Sequence, residues 1–374
     1  MAAIAILCCS HVAEWGGAET VLADLLATID RRQFALHLAC PPQGPLPDRA
    51  RELRVPVHAL PPAGRSPAAK LARLPLLARR LRHIASDIGA QLLHANSMIA
   101  GYAAMLARHR RLPCLWHLHI VAQSPIARLA LASADRVVTP CRANADWLPG
   151  LRARNRLQLL DNGIAPAFFA TAGSGLRAQL GLPATAPLLG IVGRLDPDKG
   201  HEVLLQAMRQ VPPAVHLAVV GSAAFADTLP RVRGYAERLQ TLAASPELTG
   251  RVHLLGERRD LPTLMGQFSA LVVPSTALEA SPRVIAEAMA AGTPVIASDV
   301  GGIADMLQQG TAGLLVPPGQ PAALAAAVTT LLHDPSLRER ITVQGRNQAL
   351  QRYQPQQFAA GMATAYTATL ADVG

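Results

Sequence analysis

Residues 270–302 read ALVVPSTALEASPRVIAEAMAAGTPVIASDVGG, a strand, a loop, a short helix and a second strand. Leu271, Val272 and Val273 form a short apolar run stopped by Pro274, the pattern of a buried strand. Residues 284–291 are helix formers ended by Gly292, with Pro282 where a first-turn proline loses no hydrogen bond. Residues 293–298 then read as the next strand. A helix that opens at a strand's carboxyl end offers backbone N–H groups and the positive end of its dipole to an anion such as a nucleotide phosphate. Ser281, Pro282, Arg283 and Val284 make that opening. Glu279 in the loop and Glu287 one turn inside the helix bracket it, and both can accept hydrogen bonds from ligand hydroxyls. The spacing alone suits a loop charge and a solvated helix residue equally well.

Outside this stretch the same alternation recurs. Residues 3–9, 34–40, 55–60, 91–94, 114–120, 134–139 and 156–160 read as strands of the N-terminal half, and 188–192, 215–221 and 251–254 as strands of the C-terminal half, with helical segments between them. Such alternation predicts an α/β protein with parallel sheets wound on both faces. A chain of 374 residues is too long for one ordinary core and suits two Rossmann-like domains. The composition of 169–186 turns to Ala, Thr, Gly and Pro, which predicts the connection between them.

Charge is unevenly placed. The net charge is +10, yet residues 171–374 hold equal numbers of acids and bases, so the whole excess is N-terminal. Between Leu53 and Ser86 stand Arg54, Arg65, Lys70, Arg73, Arg79, Arg80 and Arg82 without one acid. Aromatic residues are only 3% of the chain, too few for the stacking platforms that single-stranded nucleic acid needs, so an anionic membrane surface is the expected partner of these bases and nucleic acid is not. The apolar segment 70–84 carries Pro75, which predicts one bent helix or two short ones. Charges or turn residues interrupt every apolar stretch before it could span a bilayer, and the opening MAAIAILCC shows neither a basic leader nor a cleavage signal. A cytoplasmic protein, at most peripheral on the membrane's inner face, is expected. The five cysteines include no C-x-x-C pair and read as reduced core residues.

Three further groups carry chemistry. Gly16 and Gly17 lie in a loop between a strand and a helix, where a ligand can approach the backbone closely. In LPCLWHLHIV, residues 112–121, strand alternation puts His117 and His119 on one face. In GRLDPDKG, residues 193–200, Arg194 and Lys199 stand in a strand-to-helix loop, a planar fork and a mobile point charge that can converge on a diphosphate. Asp196 and Asp198 spell a D-x-D, but the adjacent cations do the work a metal would do, so no metal and no cofactor are expected.

The stretch E-x7-E followed by AMAAGTPVIASDVGG resembles the nucleotide-sugar signature of family 4 glycosyltransferases, retaining enzymes of the GT-B fold. GGAE at 16–19, NGI at 162–164, GRLDPDKG at 193–200 and LLGERRDLPTLM at 254–265 come in that family's order. The resemblance implies two Rossmann-like domains facing across a cleft: residues 1–170 on the acceptor side, and 171–354 binding the nucleotide sugar. A terminal helix, about 355–374, crosses back onto the first. It implies that Arg194, Lys199 and the Ser281–Val284 helix start hold the donor phosphates, with Gly16 and Gly17 facing them. By the same resemblance Glu287 holds the ribose, Glu279 and His119 meet the transferred sugar or acceptor, and Arg258 and Leu261 border the base. His94 and His117 are weaker candidates, and Glu19 is a helix-start charge. The family's aspartate after NGI is replaced by Ala165. The expected activity is transfer of a hexose-type sugar from a nucleoside diphosphate sugar to a hydroxyl of a glycan or lipid-linked acceptor, in cell-surface polysaccharide or glycolipid synthesis. The rival readings are a sugar-nucleotide epimerase of the same fold and a non-catalytic partner protein.

Overall fold

The computed structural model describes residues 3–64, 66–109, 111–122, 124–170, 173–223 and 232–372. Arg65 of the basic run, and Thr171 and Ala172 of the expected connection, lie outside them. The chain forms two compact units. One comprises the residues up to Ile164 together with those from Tyr353 onward, the other Ala165–Arg352. The sequence had placed these boundaries at 170/171 and 354/355.

The first unit is built on seven strands: β1 Ile4–Cys9, β2 Phe34–Cys40, β3 Val57–Ala59, β4 Leu92–Ala95, β5 Cys114–His117, β6 Arg136–Thr139 and β7 Leu157–Leu159. Their order is β3-β2-β1-β4-β5-β6-β7, and all pairs are parallel. Period-two alternation sends Leu7, Cys9, Leu93, Trp116 and Val137 into one core, and Ile6, Cys8, Leu92, Leu115 and Val138 into another. Two cores on opposite faces explain why β4, β5 and β6 are buried along their whole length. The expected strand 114–120 stops at His117, so His119 lies beyond the sheet. Around Pro75 there are two helices, Pro67–Ala72 and Leu74–Asp87, parted at Arg73.

The helix Pro355–Ala371 belongs to this unit, where Phe358, Met362 and Tyr366 complete the second of its cores. Tyr366 meets Phe34 edge-on at 5.4 Å, the Gln158 amide donates to Gly361 O at 3.1 Å, and Arg136 pairs with Asp372 at 2.7 Å.

The second unit holds six parallel strands: β8 Leu188–Val192, β9 His216–Val220, β10 Val252–Gly256, β11 Ala270–Val273, β12 Val295–Ser298 and β13 Leu314–Val316. Their order is β10-β9-β8-β11-β12-β13. Residues 173–186, expected as linker, are instead part of this unit's packing. Leu176 N–H donates to the Gln267 side chain at 2.7 Å, and Arg177 donates to Gln267 O at 2.7 Å and Ala186 O at 2.9 Å. The composition had hidden this because a single arginine and a single leucine do the anchoring. No helix among the described residues is long and apolar enough to cross a membrane.

Candidate functional site

In each sheet the strand order reverses once, between β1 and β4 in the first and between β8 and β11 in the second. Loops diverge at the carboxyl ends of such neighbours and leave a crevice, the usual ligand position in open parallel sheets. GGAE follows β1, GRLDPDKG follows β8 and the Glu279 loop follows β11, while His117 ends β5 beside β4; NGI follows β7 and LLGERRDLPTLM runs off β10, both at sheet edges.

In the second unit, β8 runs into residues 193–200 and β11 into 274–282. The two loops are tied together. Thr276 N–H donates to Asp198 O at 2.9 Å, and Lys199 Nζ stands 2.5 Å from Glu279 Oε1, which also accepts from Ser275 Oγ at 2.9 Å. Gly200 has φ +72°, and a Cβ there would stand 1.8 Å from Pro274 O, so only glycine allows this approach. The Glu279 backbone is held from behind by the glycine pair of DVGG: Gly302 N–H donates to Glu279 O at 2.8 Å, and a Cβ on Gly301 would stand 2.0 Å from that oxygen. The sequence reading had no role for Gly301 and Gly302; they set the position of a carboxylate more than twenty residues earlier.

The helix after β11 spans Arg283–Ala290, with Pro282 as its N-cap and no side chain capping it. Ser281 Oγ lies 3.5 Å from Met306 Sδ, and Val284 is half-buried in the first turn. Glu287 is not the solvated residue that spacing allowed: it is 6% exposed and pairs with Arg283 at 3.3 Å one turn back. Arg194 stands 3.4 Å from Asp196, which is 1% exposed and caps the turn Pro197–Lys199 by accepting from Asp198 N–H at 3.1 Å. The first aspartate of D-x-D is thus part of the loop's architecture. Arg258 grips Asp260 with two hydrogen bonds, 2.8 and 2.7 Å, and holds that carboxyl below the usual range; Leu261 then starts the helix Leu261–Met265. The guanidinium expected beside a nucleotide base is therefore engaged by its own loop.

In the first unit, Gly16 is the N-cap of the helix Gly17–Thr28, again with no side-chain cap. Glu19 was read as a helix-start charge, but it is 6% exposed, accepts from Ser10 Oγ at 3.2 Å and would stand 2.7 Å from a Cβ on Gly16. The loop after β4 brings Asn96 and Ser97 alongside: His11 Nδ1 lies 2.8 Å from Ser97 Oγ, and Asn96 Oδ1 lies 3.0 Å from His119 Nε2. His119 packs against His117 with ring centroids 4.0 Å apart and planes tilted by 46°. His117 is fully buried and burial pushes its pKa down to about 3, so it stays neutral. His94 is also fully buried, its Nδ1 2.6 Å from the Tyr366 hydroxyl. Both weaker histidine candidates are thus interior groups, and only His119 reaches partial exposure.

Residues 15–168 match the family model Glycosyltransferase Family 4, and residues 175–348 match Glycosyl transferases group 1. The D-inositol 3-phosphate glycosyltransferase of Xylanimonas cellulosilytica is 31% identical over 304 residues, 74% of this chain and 71% of that relative. The chain belongs to glycosyltransferase family 4. Over 179 residues this family 4 glycosyltransferase is also 37% identical to a phosphatidyl-myo-inositol mannosyltransferase of Mycobacterium leprae, covering 46% of this chain and 44% of that one. Among solved structures, Anabaena HepE in complex with UDP and glucose is similar with a TM-score of 0.81 at 26% identity, over 97% of this chain and 99% of HepE. Sucrose-phosphate synthase from Thermosynechococcus elongatus follows with 0.78 at 25% identity, over 98% of this chain and 99% of the synthase. Two parallel sheets wound on both faces, with such neighbours, make this family 4 glycosyltransferase a GT-B enzyme.

Proposed function

We propose that this glycosyltransferase moves a hexosyl group from a UDP-type nucleoside diphosphate sugar to a hydroxyl of a glycan or lipid-linked acceptor, with retention. The observation that carries the reading is the cluster at the β8/β11 reversal, where Lys199, Arg194, Glu279 and the start of the Arg283–Ala290 helix belong to two mutually bonded loops. As the bond from the anomeric carbon to the donor phosphate breaks, the leaving diphosphate gains charge. Lys199, Arg194 and the helix start then stabilise the transition state more than the ground state. Glu287 accepts from the ribose hydroxyls and Glu279 from the transferred sugar, while Gly16, Gly17 and His119 contact donor or acceptor, and Leu261 borders the base. The acceptor oxygen bonds to the anomeric carbon on the face the phosphate leaves, and its proton passes to a phosphate oxygen. The bound UDP in HepE supports this choice of donor.

The test is a panel of UDP- and GDP-sugars with lipid and glycan acceptors, run in excess EDTA, with the anomeric configuration of the product read by NMR. Transfer should persist in EDTA, because fixed cations already face the diphosphate. Loss restored by Mn²⁺ or Mg²⁺ would make Asp196 and Asp198 of the D-x-D the candidate metal ligands, and an inverted anomer would remove the front-face mechanism.

A peripheral attachment to anionic membrane from the cytoplasmic side is the second part of the proposal. The helix Leu74–Asp87 buries Leu77, Leu81 and Ile84 and exposes Arg79, Arg80 and Arg82, while Leu71 and Leu76 are 59% and 53% exposed beside them. Some of these bases also have structural work, since Arg73 donates to Pro62 O, Arg80 to Ala59 O and Arg82 to Ala107 O. Their charge still reaches solvent. Liposome co-sedimentation should require anionic lipid, fall between low and physiological salt, and weaken in Arg79→Glu with Arg80→Glu. Equal binding to neutral and anionic vesicles would leave a soluble acceptor as the simpler account.

A further inference from the structure

The first unit contains a buried carboxamide for which neither the family resemblance nor the motifs have a use. Asn96 directly follows β4, and its backbone N–H donates to Cys9 O at 3.0 Å, at the end of β1. It therefore sits on the strand reversal of this sheet. Its side chain is fully buried and spans two elements: Nδ2 donates to Ala18 O at 3.0 Å in the first turn of the Gly17–Thr28 helix, and Oδ1 lies 3.0 Å from His119 Nε2.

The orientation of this amide is decided by chemistry. Ala18 O can only accept, so the amide nitrogen must face it, and the atom facing His119 is the carbonyl oxygen. That oxygen can only accept in turn, so His119 Nε2 carries a proton whenever the ring is neutral, and the ring lone pair lies on Nδ1. His117, packed against the same ring, is neutral and offers no charge that would reverse the assignment.

We propose that Asn96 is the positioning residue of His119: it selects the Nε2–H tautomer and locks the ring to the start of the glycine-loop helix. The proposal rests on the reading of His119 as a contact to donor or acceptor. It adds what that contact can do, since a neutral ring fixed this way can accept a hydrogen bond from a ligand hydroxyl only through Nδ1. Helix start, strand reversal and histidine are then one rigid assembly, which positions the histidine by geometry rather than by loop packing.

The test uses the full chain labelled with ¹⁵N-histidine, in which two-bond ¹H–¹⁵N spectra distinguish the tautomers and His119→Gln assigns the His119 signal. The wild type should show the Nε2–H form. Asn96→Ala should show a mixture, and Asn96→Asp, which loses the donor to Ala18 O but keeps an acceptor toward the ring, should keep a proton on Nε2. In Asn96→Ala, kcat should fall roughly ten- to a hundredfold with donor KM changed by less than about threefold. The double variant with His119→Gln should be no slower than His119→Gln alone. A wild-type tautomer signal in Asn96→Ala, or additive losses in the double variant, would overturn the proposal. If Asn96→Ala does not fold, an Nδ1–H signal in Asn96→Asp would do so. Should His119→Gln leave transfer unchanged, the site reading of His119 fails, and the tautomer signal by itself decides what Asn96 does.

Discussion

Lys199→Ala is expected to cut transfer by roughly 30- to 1,000-fold, the loss of about 2–4 kcal/mol of transition-state stabilisation that one charged contact to a leaving phosphate supplies. The fold should survive, because the Lys199 side chain is partly exposed and Glu279 retains its bond from Ser275 Oγ at 2.9 Å. Arg194→Ala should lose turnover over a similar range and also stability. It strips one partner from Asp196, a carboxylate only 1% exposed whose other oxygen caps the turn that presents Lys199. Thermal unfolding separates the two effects: Tm should fall in Arg194→Ala and barely move in Lys199→Ala. Turnover within about threefold of wild type in both variants, with donor hydrolysis measured beside transfer, would remove these cations from the donor site.

The two glutamates should differ in kind. Glu287→Gln is expected to raise the donor KM by about tenfold or more, through the ribose, since a hydrogen bond to a charged acceptor is worth roughly 1.5–3 kcal/mol. It also removes the charge that faces Arg283 at 3.3 Å, so part of the effect passes through the first turn of the helix. Glu279→Gln should act mainly on kcat. Its carboxylate pairs with Lys199 at 2.5 Å, and the amide would leave that ammonium misplaced for a diphosphate. Steady-state kinetics with UDP affinity by calorimetry distinguish the cases. If both variants abolished turnover while UDP bound as in the wild type, a paired acid and base, as in glycoside hydrolysis, would be the better mechanism.

Most of the secondary structure around the site could be read directly because its signals are local. Pro274, Pro282 and Gly292 punctuate a strand, a loop and a helix within twenty residues, and the observed β11 and Arg283–Ala290 lie within a residue or two of those marks. The end of β5 was misjudged because the alternation of LWHLHI continues past the last residue paired with β6, and a period of two cannot say where a neighbouring strand stops. The role of Glu19 was missed for a related reason. In sequence it is one more acid in a first turn, and only the approach of Ser10 at the end of β1 turns it into a buried acceptor. Asn96 carried no signal at all, since asparagine is among the residues that dominate turns and a single one after a short strand reads as a turn residue.

The sequence by itself therefore determined most of the elements, their alternation, the parallel double-wound class and the motifs that carry the family resemblance, all of which depend on periodicity and punctuation over a few residues, while β13 Leu314–Val316 went unread. Tertiary structure alone decided the partners. Lys199 meets Glu279 across 80 residues, Asn96 meets Ala18 across 78, and His94 meets Tyr366 across 272. The first two depend on which strands become neighbours where the order reverses, and the third on the packing of the last helix against the first sheet. That order is set by the global packing of two faces of helices on each sheet, which no local period encodes.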